Sequence, residues 1–325
     1  MPSKKTLSFL IKIGIVFFSF FFIYNELDND NLGDVNFNAI LFNIKQNYFL
    51  VICVVLMMFF NWLVESIKWK FMIKKIENIS VLTSLRAVFS GITVSSFTPN
   101  RIGEYGGRVF CLEKCDRIQA VLITVLGSMA QLLTTILFGS LAFLILYESV
   151  IAESIFVIMN LEISSYSFIL LFIINLSLLF LFFNVATIFN YLGRFRYFNF
   201  FRKYINVISM FSHGDLLKVL LLSFLRYFIF SCQFLILLYV FDVHIDLNES
   251  IFAVMLVFLL ITLTPTIAIA EIGVRGSVAL FVFGIFSNNV VGILSSTFIL
   301  WIINLIIPAI IGSFFIFSLK FFRKS

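Results

Sequence analysis

Two short segments, half a chain apart, set a Glu four residues ahead of an Arg beside residues that break helices. The first reads Thr98-Pro99-Asn100-Arg101-Ile102-Gly103-Glu104-Tyr105-Gly106-Gly107-Arg108, and the second runs from Thr264-Pro265 to Glu271-Ile272-Gly273-Val274-Arg275-Gly276. Pro removes a backbone donor and Gly loosens the chain, so each segment opens a helix and leaves N–H groups free where the next helix starts. A helix start carries partial positive charge suited to an anionic group. Arg101, Arg108 and Arg275 add full charges that can fork onto a phosphate. Glu104 and Glu271, one turn before Arg108 and Arg275, can hold those side chains when no ligand is present. The predicted chemistry is binding of an anionic headgroup. Asn100, Arg101, Glu104, Arg108, Glu271 and Arg275 are the substrate-binding candidates, and Pro99, Gly103, Pro265 and Gly273 the helix breaks. A purely mechanical reading stands beside it, in which each Glu and Arg neutralise one another and lock two helix ends together.

The composition says what kind of element must carry these segments. With 61% hydrophobic and 12% charged residues and a mean hydropathy of +1.09, the chain has apolar runs that only a bilayer can accept. Those runs lack the alternation of a transmembrane barrel, so the backbone must satisfy itself in helices. The expected class is an all-α polytopic membrane protein, with residues 1–325 forming a single integral membrane domain. Its 45 Phe residues read as lipid-facing bulk. Charges and breaks inside such a chain are costly, which makes a duplicated set of them the place to look for function.

Six complete spans are predicted at about 6–24, 47–67, 118–147, 166–190, 216–241 and 290–318, with broken segments at 82–116 and 251–287. The N-terminus resembles a signal peptide, with Lys4 and Lys5 ahead of an apolar stretch. That stretch is nearly span length and no small-residue cleavage site follows, so it reads as an uncleaved helix with Lys12 snorkelling to the near interface. Most of the 23 Lys and Arg fall at the N-terminus and in 68–86, 100–117, 191–218 and the last residues. The connections 25–46, 148–165 and 242–250 are acidic instead. The basic connections are therefore expected in the cytoplasm together with both termini. Segment 82–116 then dips in from the cytoplasm and 251–287 from outside, as two re-entrant hairpins of an inverted repeat whose tips meet near mid-membrane.

The motif Thr98-Pro99-Asn100-Arg101-Ile102-Gly103-Glu104 with Arg108, the later Pro265, Glu271 and Gly273, and Asn304, Pro308 and Gly312 in the last helix resemble the transmembrane region of lysylphosphatidylglycerol synthases. This region recurs as a stand-alone, flippase-like family of bacterial membrane proteins, and the resemblance spans nearly the whole chain. Full synthases carry a soluble aminoacyl-transferase domain, for which this chain has no room. The resemblance therefore implies lipid translocation without synthesis, in the bacterial cytoplasmic (inner) membrane. The family pattern often has an acidic residue in the helix after the first motif. Gln131 stands there, so a proton-relay role is not expected at that point. Gln131 and Asn304 join the site as secondary candidates.

Arg226, inside the 216–241 span, is a further candidate, either facing a central cavity or snorkelling to the cytoplasmic end. Other chemistry is thin. Cys111 and Cys115 have helical spacing, but His213 and His244 lie outside that cluster, so neither a metal nor another cofactor is expected. No nucleophile elbow, Walker loop or Asp-rich motif is present. The expected partners are membrane lipids with anionic headgroups, not nucleic acid. Two rival readings are a membrane-embedded transferase acting on a phospholipid or polyprenyl phosphate, with Glu104 or Glu271 as general base, and a scaffold for a membrane enzyme. A transferase would be expected to show an acidic metal pair or a nucleophile, and a scaffold has no need of duplicated charged breaks.

Overall fold

Helix is the regular structure found throughout the described residues, as expected where the backbone has no water to bond. The computed structural model describes residues 37–95, 98, 102–147, 165–192, 206–264 and 271–316. The predicted first span at 6–24, the loop 148–164 and the break residues Pro99, Asn100, Arg101 and Pro265 lie outside them.

In chain order the helices are α1 (Phe37–Gln46), α2 (Tyr48–Ile73), α3 (Val81–Ser95), α4 (Gly103–Val109), α5 (Arg117–Leu146) and α6 (Ser165–Phe183). They continue as α7 (Val185–Leu192), α8 (His213–Val240), α9 (Leu247–Leu263), α10 (Glu271–Phe283), α11 (Val290–Trp301), a π-helical turn (Ile302–Ile306) and α12 (Ile307–Ile316). Among the described residues, four helices are long and apolar enough to cross a bilayer: α2, α5, α8 and the continuous Val290–Phe315. The chain is an all-α polytopic membrane protein.

Two boundaries differ from expectation. The span predicted at 166–190 has a one-residue irregularity at Asn184 between α6 and α7, across which the helical bonds from Asn184 N–H to the Phe180 carbonyl and from Ile188 N–H to the Asn184 carbonyl continue. The 47–67 span continues to Ile73, so Lys68, read from sequence as a loop charge, lies inside α2 and is 1% exposed.

Both broken segments are helix, break, helix. In the first, Thr98 Oγ1 accepts from the N–H of Gly103 at 2.8 Å, closing the turn between α3 and α4. A Cβ on Gly103 would meet the Val94 carbonyl at 2.7 Å, so the turn is tight enough to require glycine. In the second, α9 stops at Leu263 with Thr264 extended, as the residue before a proline must be.

The ends of these hairpins are fixed by polar contacts. Glu77, in the α2–α3 connection, accepts from the N–H groups of Glu113, Lys114 and Cys115, so the first hairpin returns to the end it entered. Lys75 and Asp215 pair at 2.8 Å at this same end. At the opposite end Asn43 donates to Asp242, and Asn289, beyond α10, donates to the carbonyls of Phe241 and Asp242. The second hairpin therefore opens to that opposite end.

The packing repeats this inversion. Helix α3 lies against α12, and α9 lies against α5, so each first arm packs on the closing helix of the other half, while α2 packs on α8 between them. Glycine allows both arm contacts: a Cβ on Gly312 would meet the Phe89 carbonyl at 2.1 Å, and one on Gly139 would meet Leu259 Cβ at 2.4 Å. Close approach through small residues is how helices associate without a hydrophobic driving force.

Candidate functional site

One stripe of α2 carries Val54, Met58, Asn61, Glu65, Lys68 and Met72, all buried and spaced alternately by four and three residues. The spacing places them on one helix face. Its middle is polar where its ends are apolar, and that middle faces α8 and α5. Lys68 Nζ donates to Ser223 Oγ of α8 at 3.2 Å and to the carbonyl of Gly127 of α5 at 3.4 Å.

Glu65 is the centre of the arrangement. Its Oε1 takes Arg108 at 2.7 Å, and its Oε2 takes Arg226 at 2.5 Å and Lys68 at 2.8 Å. Arg108 also binds Glu104 one turn earlier on α4. Arg226 Nε donates to Asn61 Oδ1 at 3.0 Å, and its Nη1 reaches Gln131 Oε1 at 3.4 Å. A carboxylate in this setting is tolerable because each oxygen meets a cation, whereas an unpaired one in low dielectric would be strongly destabilising. Across this linked set, Glu65 and Glu104 balance two of the three cations Lys68, Arg108 and Arg226, leaving one positive charge in excess.

Arg226 opens the network to a cavity of about 250 Å³. Helices α2, α5, α8, α9, α10, α11 and the π turn all contribute to its wall. Trp62, Tyr227, Phe230, Phe258 and Trp301 supply aromatic surface, while Arg226, Arg275, Asn61, Gln131 and Asn304 supply polar groups. The Arg226 guanidinium stands 5.0 Å from the Trp62 ring, a cation–π distance. Arg226 thus faces the cavity, which decides between the two positions its sequence allowed.

Four polar atoms on lining residues are buried, with no hydrogen-bond partner among the described residues: Trp62 Nε1, Tyr227 Oη, Trp301 Nε1 and Asn304 Oδ1. The π turn belongs to the same wall. Pro308 lacks the N–H that would bond the Asn304 carbonyl in an α-helix, so the ladder slips at Ile302–Ile306. Asn304 lies within that slip, its Nδ2 held by the Leu300 carbonyl at 3.1 Å.

The two Glu–Arg segments occupy different places. Arg275 donates Nε and Nη2 to Glu271 Oε1, at 3.0 and 2.7 Å, and lines the cavity. Arg108 lies behind Glu65, is 3% exposed, and reaches the cavity only through the Glu65–Arg226 link. Helix α4 is close enough because Gly107 sits on Gly91 of α3. Gly103 opens α4 at the tight turn, whereas Gly273, expected as a helix break, is buried inside α10, since a single glycine costs a helix only about 1 kcal/mol. Asn100, Arg101, Pro99 and Pro265 are outside the described residues.

Glu65, Lys68 and Asn61 were not among the sequence candidates. Their signal was present in the four-and-three spacing of Asn61, Glu65 and Lys68 inside an apolar helix. It was masked because Glu65 and Lys68 stand near the end of a plausible span, next to a run of cytoplasmic lysines.

Residues 8–312, most of the chain, match the model of a family described as Lysylphosphatidylglycerol synthase TM region. No curated protein matches the chain.

Proposed function

Because the chain belongs to the lysylphosphatidylglycerol synthase transmembrane-region family, we propose that it binds an anionic phospholipid or lipid-linked headgroup within the membrane and helps it cross. The observation that carries this reading is the cavity, which has two guanidinium groups, five aromatic walls and no carboxylate among its lining residues. A lipid phosphate would meet Arg226 and Arg275, the aromatic and amide side chains would bond its glycerol or ester oxygens, and the acyl chains would stay in the bilayer. Hairpins opening to opposite ends give such a site a route to either face. The reading puts the protein in the bacterial cytoplasmic membrane with both termini in the cytoplasm.

The transferase alternative finds no support at the cavity. Its candidate bases, Glu104 and Glu271, are each engaged by a guanidinium and do not line it.

The test is translocation in vesicles. Purified protein is reconstituted into liposomes carrying fluorescent phosphatidylglycerol, and the inner-leaflet pool is followed by its exposure to an external quencher. Wild-type vesicles should lose the protected pool, whereas Arg226→Gln and Arg275→Gln vesicles should behave like empty liposomes. Equal protection in wild-type and empty liposomes would overturn the reading. So would full activity in both variants.

A further inference from the structure

We propose that Glu65 is the resident counter-anion of the cavity, and that the ligand is a singly charged phosphodiester which takes Arg226 from it. The inference rests on the lipid-binding reading above and adds what sets affinity and charge class at that site.

Arg226 belongs to both the buried network and the cavity. Of the three cations on Glu65, it alone lines the cavity, and its side chain is 15% exposed against 2–3% for Lys68 and Arg108. An anion entering the cavity therefore meets Arg226 while Glu65 already holds the Nη1 face at 2.5 Å. The two anions compete for one guanidinium. Glu65 can yield because Arg108 remains on its other oxygen and Lys68 remains beside it. The exchange leaves no buried charge unpaired.

The charge count selects the ligand. The linked network has one cation in excess among the described residues. In a low-dielectric interior, an added anion is accommodated best when it neutralises that excess and no more. A phosphodiester carries one negative charge. A phosphomonoester or diphosphate carries more, and a headgroup with ammonium groups would bring them to a wall without a carboxylate.

The experiment measures binding of short-chain phosphatidylglycerol to purified protein in neutral detergent by titration calorimetry. The double variant Glu65→Gln with Lys68→Met keeps the network's net charge while removing the competitor from Arg226. It should bind about tenfold tighter or more, since close buried ion pairs couple by at least that factor. Gln131→Glu adds a second carboxylate next to Arg226 and should bind at least about tenfold more weakly with no loss of melting temperature. That variant tests the charge count, and Glu65→Asp, which keeps the charge but draws the carboxylate back from Arg226, should bind more tightly than wild type and decides the role of Glu65 if the double variant does not fold. Short-chain phosphatidic acid and lysyl-phosphatidylglycerol should each bind more weakly than phosphatidylglycerol. Glycerophosphoglycerol, which has no acyl chains, separates a lipid site from a site for the free phosphodiester.

Unchanged or weaker affinity in a folded double variant, or in Glu65→Asp, would overturn the role of Glu65 while leaving lipid binding intact, and unchanged affinity in Gln131→Glu would overturn the charge count. Tighter binding of the monoester or the lysyl lipid would overturn the charge class. Failure of every lipid to bind wild-type protein would remove the lipid-binding reading itself.

Discussion

Gly107 of α4 rests on Gly91 of α3 at backbone contact: a Cβ added to Gly107 would lie 2.7 Å from Gly91 Cα and 2.9 Å from the Ser90 carbonyl. That approach carries Arg108, the next residue, to Glu65 at 2.7 Å. Gly107→Ala must push the hairpin arms apart, because the obstructing atoms are backbone. We expect it to destabilise by about 1–3 kcal/mol and to weaken the Arg108–Glu65 contact. Melting in detergent checks this, and a melting temperature equal to wild type would contradict the contact.

Arg275 separates a working site from a strut. Glu271 is 7% exposed, so Arg275→Met alone takes a guanidinium from a buried carboxylate and should destabilise by about 3–5 kcal/mol. Glu271→Leu with Arg275→Met should recover most of that stability by removing both charges. Lipid translocation should stay absent in the double variant, since the cavity has lost one of its two guanidinium groups. A stable and fully active double variant would reduce the pair to a structural lock.

Glu77 gives a dependence on pH. Burial tends to raise its carboxyl pKa, but the N–H groups of Lys114, Cys115 and Glu113 outweigh that and hold it below its ordinary value of 4.5. A depressed folded-state pKa means the contribution is fully present above the unfolded value and is lost as pH falls through the folded one. The melting temperature of the wild type should therefore drop below about pH 4.5 more steeply than that of Glu77→Gln. At neutral pH Glu77→Gln should already be the less stable of the two. Parallel pH profiles would remove Glu77 as the tie between the two connections.

The opposed hairpins set accessibility. In a background without cysteine, single cysteines at the exposed positions Asn78 and His244 lie at opposite ends of the fold, as the Glu77 and Asp242 contacts require. His244→Cys should label from outside intact cells, and Asn78→Cys only after permeabilisation. The reverse pattern would invert the proposed orientation, and labelling of both from one side would contradict the fold.

Much was legible in the sequence because it rests on local physics. Apolar runs with no alternating pattern can only be helices in a bilayer, and a proline turns the residue before it away from helix, so α9 ends at Leu263 with Thr264 extended. Each Glu four residues before its Arg had to share a helix face, and both pairs form. The family could be recognised for the same reason, since its motifs are short and contiguous.

The tertiary structure decided which of these charges meet a common cavity. Glu65, Arg108 and Arg226 are 43 and 161 residues apart along the chain, and no helical period relates them. Their convergence depends on α2 packing on α8 and on the glycine contact that lowers α4 toward α2. The same packing puts Arg275 at the cavity and leaves Arg108 behind a carboxylate, although the two Arg look equivalent in sequence. Spacing along a helix fixes which face a side chain takes, but what stands opposite that face is set by how separate helices cross, and that is where a buried charge finds its partner.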